Sequence, residues 1–90
     1  MNKVELVSIV AEKTGSTKKV VDEVINEFMD AIVNTLANDE KVVLSGFGTF
    51  EVRVRAERTG RNPRNGELIT VPSQKSPAFK SGKLLKDAVK

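Results

Sequence analysis

The sequence predicts a small α+β chain that works as an oligomer. Three observations carry this: helix-spaced apolar residues in the first forty positions, period-two alternation after them, and a length too short for a self-sufficient core. Ninety residues, 39% hydrophobic and 30% charged, make one domain with little core to share out. Chains of this size usually rely on disulfides, a metal or a second subunit, and the sequence has no Cys and no His. Oligomerisation is what remains, and neither a cofactor nor a metal is expected.

From Lys3 to Lys13, Val4, Val7, Val10 and Ala11 fall at helical spacing with Glu5 and Glu12 on other faces, which predicts a short amphipathic helix. Thr14, Gly15, Ser16 and Thr17 combine a helix-ending glycine with hydroxyls that cap a following helix. From Lys18 to about Ala37 the apolar positions are Val20, Val21, Val24, Ile25, Phe28, Met29, Ile32, Val33 and Leu36. This stripe is wider than one short helix covers, and a second chain is the expected cover, with the following sheet as the alternative.

Lys41 to Leu44 reads as a strand and Ser45 to Gly48 as a turn, after which Phe50, Val52 and Val54 alternate with Glu51, Arg53 and Arg55. The segment from about Arg55 to Lys75 centres on Gly60, Asn62, Pro63, Asn65 and Gly66. A structureless loop of that length is unusual in a compact domain, so a two-stranded ribbon is expected, too poor in apolar residues to bury itself. After Gly82, Leu84, Leu85, Ala88 and Val89 interleave with Lys83, Lys86 and Asp87 as a short C-terminal helix. No apolar run exceeds three residues, which speaks against a membrane span and for a cytosolic protein.

Charge is segregated along the chain. Residues 1–40 carry four lysines against eight acids, whereas residues 41–90 carry eleven basic residues against four acids. A basic half on an acidic half points to a polyanionic partner engaged by one face, with a merely solvated surface as the alternative. All five arginines, Arg53, Arg55, Arg58, Arg61 and Arg64, lie within twelve residues that hold a single acid, Glu57. Guanidinium forks match phosphate oxygens, so this cluster suits a nucleic-acid backbone. A charged edge strand that resists aggregation would explain the charges but not their confinement. Extended from Arg53 to Pro63, the ribbon spans roughly 33 Å, comparable to one turn of duplex. With no His, Cys or Tyr, the chain does not read as an enzyme.

The run Gly46-Phe47, Phe50, Arg55, Arg58, Gly60, Asn62-Pro63 and Asn65, with the opening Met1-Asn2-Lys3 and the closing Pro77-Ala78-Phe79-Lys80, Gly82-Lys83 and Leu85-Lys86-Asp87-Ala88-Val89, resembles the bacterial HU/integration host factor family over nearly the whole chain. The resemblance implies an intertwined homodimer. Residues 1–40 would form its helical base, 41–54 and 75–81 a β saddle, 55–74 a DNA-binding arm and 82–90 the C-terminal helix.

It also implies a nucleoid-associated protein that bends and compacts double-stranded DNA through the minor groove. Such a protein favours bent, nicked or distorted duplexes. Pro63 would be the intercalating wedge, being rigid, apolar and free of an N–H, although Asn62-Pro63 is equally a turn dipeptide. Arg61 and Asn62 would reach the minor-groove floor, whose degenerate pattern implies weak sequence preference. Arg53, Arg55, Arg58, Arg64, Lys3, Lys75, Lys80, Lys83 and Lys86 are assigned to phosphates, any lysine being alternatively a solvated charge. Gly46 and Gly48 either offer N–H groups to phosphate or serve the turn. Val24, Phe28, Ile32, Leu36, Leu44, Phe47, Phe50 and Phe79 are expected in the core or dimer contact, with base stacking as the alternative for the last three aromatics.

Several positions depart from the family pattern: Arg64 and Asn65 stand where many relatives carry Gln and Thr, Ser45 and Ser76 replace aliphatics, and Ser81 sits where Pro or Ala is common. The alternative partners and roles are RNA or single strands, a protein docked on the arms, and site-specific DNA bending.

Overall fold

The computed structural model describes residues 1–90, as two compact units, residues 1–34 and 35–90. The first unit holds α1 (Lys3–Thr14) and most of α2 (Lys18–Ala37). Asn2 starts α1 by accepting the Glu5 N–H on its side-chain oxygen at 2.9 Å, and Gly15 ends it in the left-handed region at φ 69°. Thr17 Oγ1 accepts the Val20 N–H at 3.2 Å and so caps α2. Val7, Ala11 and Val21 are buried where the two helices meet, with Val10 and Ile25 packed against them.

These three are the only buried hydrophobic residues in the chain. Of the residues expected in the core or dimer contact, none is buried within the single chain, and Phe47 and Phe79 are exposed. Ile32, Leu36, Leu44 and Phe50 are half-buried, while Val24 is 62% and Phe28 50% exposed. Val20, Met29 and Val33 stand exposed on the same helix. A helix this apolar outside its own contacts has a face that the chain leaves uncovered.

The second unit begins with the end of α2. The Asp39 N–H donates to Leu36 O and the Glu40 N–H to Thr35 O, closing the helix in a Schellman arrangement, with Asp39 at φ 60° in the position glycine usually takes. An antiparallel sheet follows in the order β1 (Val42–Leu44), β2 (Gly48–Arg55), β5 (Gln74–Ser81). The first strand starts one residue later than expected.

Between β2 and β5, β3 (Arg58–Arg61) and β4 (Leu68–Val71) form a ribbon that pairs only with itself. Arg55 faces Gln74 before the gap and Arg58 faces Val71 after it, so each strand crosses the gap in the same number of residues and one register runs throughout. Pro72, which has no N–H to offer, lies in the gap. The chain closes with α3 (Lys83–Ala88). Gly82 N–H donates to Phe47 O at 2.7 Å and Leu84 N–H to Gly46 O at 2.9 Å, tying α3 to the β1–β2 turn.

Candidate nucleic-acid interface

Side chains alternate along β2, so Glu51, Arg53 and Arg55 share one face with Ala78, Ser76 and Gln74, their partners on β5. Lys80 joins that face. Glu51 Oε1 lies 3.5 Å from Arg53 Nε and 3.4 Å from Lys80 Nζ, so one carboxylate holds two cations on that face of the sheet. The opposite face pairs Phe50 with Phe79 and Val52 with Pro77. The Phe79 ring packs at 4.7 Å from Phe50 and 5.7 Å from Phe47, both tilted, an arrangement that favours packing over service as platforms for bases.

Gly48 is buried, and a Cβ there would clash with the Phe79 ring and fall 2.6 Å from Lys80 O. The close approach of strand and ring accounts for this glycine, the one buried member of the residues expected to touch DNA. Gly46 takes the left-handed conformation at φ 82° in the turn, and its carbonyl accepts the Leu84 N–H.

In the ribbon, Arg58 and Gly60 share a face with Val71 and Ile69, and Thr59 and Arg61 share the other with Thr70 and Leu68. Arg55, Arg58, Arg61 and Arg64 are all exposed and enter no ion pair. Arg55 and Arg58 flank a groove of about 330 Å³ at the gap in the ladder, lined also by Ala56, Val71, Pro72 and Gln74.

At the tip the Asn62 N–H donates to Glu67 O and the Gly66 N–H to Asn62 O, each at 2.8 Å. Asn62 Oδ1 accepts the Arg64 N–H and Asn65 Oδ1 the Glu67 N–H, each at 3.0 Å, so two side chains hold the turn in shape. The Asn62 side-chain oxygen is thus used by the turn. Pro63 stands exposed on this braced loop.

The remaining expected contacts fall on separate elements. Lys75 belongs to the Phe79 side of β5 and binds Asp39. Lys3 lies in the helical unit, bonded to Asn26 and 3.4 Å from Asp22. Lys83 and Lys86 are exposed on α3. Sequence reasoning missed Glu51 and Asp39, the acids that hold Lys80, Arg53 and Lys75. The alternation of Glu51 with Arg53 was a signal for the first, whereas nothing local marked the second.

The fold and site define a small α+β protein whose unpaired arginines run from the end of β2 along a self-paired ribbon braced at its tip. The family described as bacterial DNA-binding protein matches residues 1–90, and the chain belongs to it. It is 56% identical over its full length and that of the relative to DNA-binding protein HU-1 of Halalkalibacterium halodurans, and 52% identical, again over both full lengths, to DNA-binding protein HU of Geobacillus stearothermophilus. Among solved structures it is similar to an Anabaena HU–DNA cocrystal structure, with TM-score 0.85 and 45% identity over 99% of this chain and 97% of that one. HU from Thermotoga maritima gives TM-score 0.73 at 37% identity over all of both chains.

Proposed function

We propose that the chain is an architectural protein that binds double-stranded DNA without reading its sequence, bends it and compacts it in the bacterial nucleoid. One observation carries this: four exposed arginines without acidic partners run from the end of β2, at Arg55, along the ribbon to its tip, beside an exposed proline. Each cation is available to a phosphate without first leaving a carboxylate, and Pro63 is held where it can enter a base step. The cocrystallised Anabaena HU, similar in fold and 45% identical, supports DNA as the polyanion. No helix is long and apolar enough to cross a membrane.

The working unit is a homodimer, its two arms lying in the minor groove of one duplex. The exposed Val24, Phe28 and Val33 support this, because a chain with three buried apolar side chains has its stabilising surface still to bury. Arg53 and Lys80 meet phosphates beside the arms, and Glu51 sets their spacing. The tilted packing of Phe47, Phe50 and Phe79 on one another weighs against single-strand or RNA stacking as the main activity.

Titration of an end-labelled duplex at several salt concentrations, intact and nicked, followed by anisotropy and end-to-end energy transfer, tests the proposal. With about ten phosphate contacts per dimer, the log–log salt slope is expected near −9. The ends should draw together most on nicked DNA. A slope near zero, or binding without bending, overturns the architectural reading.

A further inference from the structure

The turn at the tip holds a second chemistry. Asn65 precedes Gly66, the one Asn-Gly step among the chain's six asparagines, and both residues are exposed. Glycine least hinders the approach of its own backbone nitrogen to the preceding side chain, and Gly66 sits at φ 72°, a conformation few other residues adopt. The bond from the Glu67 N–H to Asn65 Oδ1 folds the amide back along the chain and draws electron density from its carbon.

The other asparagines lack this combination. Asn62 precedes Pro63, whose ring nitrogen carries no hydrogen and cannot attack. Asn26 and Asn34 lie within α2, where the helix holds the following backbone nitrogen. Asn2 and Asn38 precede the bulkier Lys3 and Asp39.

We propose that Asn65 is a site of spontaneous deamidation that alters the arm tip with age. Gly66 N gives its proton to water and attacks Asn65 Cγ. The N–Cγ bond forms, the Cγ–Nδ2 bond breaks, and the side-chain nitrogen leaves as ammonia with a proton returned from water. Water then opens the five-membered imide at either carbonyl, leaving aspartate or isoaspartate. Nothing is oxidised or reduced, and water is the only co-reactant. The Gly66 N–H bond to Asn62 O must open before attack, so the reaction runs at the pace of tip opening and slows when a ligand holds the tip closed. Each event places a negative charge beside Arg64 and near Pro63. The consequence for DNA rests on the function proposed above, whereas the chemistry does not.

The full-length protein, warmed at mildly alkaline pH, is sampled over time. The intact protein is labelled with an isoaspartyl methyltransferase, and the tryptic peptide that holds residue 65 is weighed from a parallel unlabelled sample. A gain of one mass unit is expected in this peptide ahead of every other asparagine, absent in Asn65→Gln and slowed by bound duplex. Conversion elsewhere first, or none here once a synthetic peptide of the same sequence has converted, overturns the proposal. Asn65→Asp, titrated separately, is expected to bind duplex about five-fold more weakly per arm from one added charge near phosphates. Conversion together with unchanged affinity removes the effect on DNA and leaves the modification. A wild-type protein that binds no DNA removes the proposed function and leaves the mass result intact.

Discussion

Lys75 Nζ lies 2.9 Å from both carboxylate oxygens of Asp39, on the side of β5 opposite to that shared by Arg53 and Arg55. The same aspartate occupies the left-handed position that ends α2, so one residue closes a helix and holds a lysine away from the basic face.

It follows that Lys75→Ala weakens DNA binding less than Arg55→Ala. Arg55→Ala should make the salt slope shallower by about 1.8 per dimer, close to one released counterion per chain. Lys75→Ala should leave the slope nearly unchanged and cost less than about 1 kcal/mol of stability, because both partners are exposed and screened. Anisotropy titrations across salt concentrations and urea unfolding check the two halves. Equal slopes for the two variants would place Lys75 among the phosphate contacts after all.

Pro63→Ala is expected to keep most of the salt-dependent affinity and lose much of the bend. The unstacking cost of a few kcal/mol per step then has no apolar ring to offset it. Energy transfer between duplex ends reads the bend directly. An unchanged end-to-end distance removes Pro63 from the role of wedge.

Gly48→Ala should destabilise the protein by about 1–3 kcal/mol, since the new methyl meets both the Phe79 ring and the Lys80 backbone and only the ring can move. Denaturant melts measure this. A neutral result would show that β2 and β5 shift apart at little cost.

The exposed stripe of α2 predicts a thermal midpoint that falls on dilution, because unfolding then includes loss of the second subunit. Phe28→Ala should steepen that dependence and lower the midpoint at every concentration. Calorimetry over a wide protein range tests both, and a midpoint independent of concentration argues for a stable monomer.

The helices were legible because their ends are written locally: Gly15 stops α1 and Thr17 caps α2. The alternation from Phe50 to Arg55 likewise announced β2 and its two faces. The β5 strand was expected at 75–81 only through the family resemblance, since Pro77 sits in its middle and interrupts the local signal, and the face that Lys75 presents depends on its pairing with Val54, far away in sequence. Asp39 escaped notice for a related reason: helix ends are sought at glycine, and here an aspartate takes the left-handed turn. The arginine cluster was plain from composition, but which of its members are free of acidic partners is a matter of tertiary neighbours. Burial was the least legible quantity. Val7, Ala11 and Val21 look no different in sequence from Val4 or Val24, and only the helix crossing selects them.

The shared register across the gap between the sheet and the ribbon constrains how this arm can change over evolutionary time. An insertion of one residue in β3 between Arg58 and Arg61 would turn Arg61 to the side of Arg58, and one in β4 would turn that strand's own side chains instead. Pairing and faces are both kept only when the arm lengthens or shortens by two residues on each strand at once. Its reach is quantised, like a ladder that grows by whole rungs.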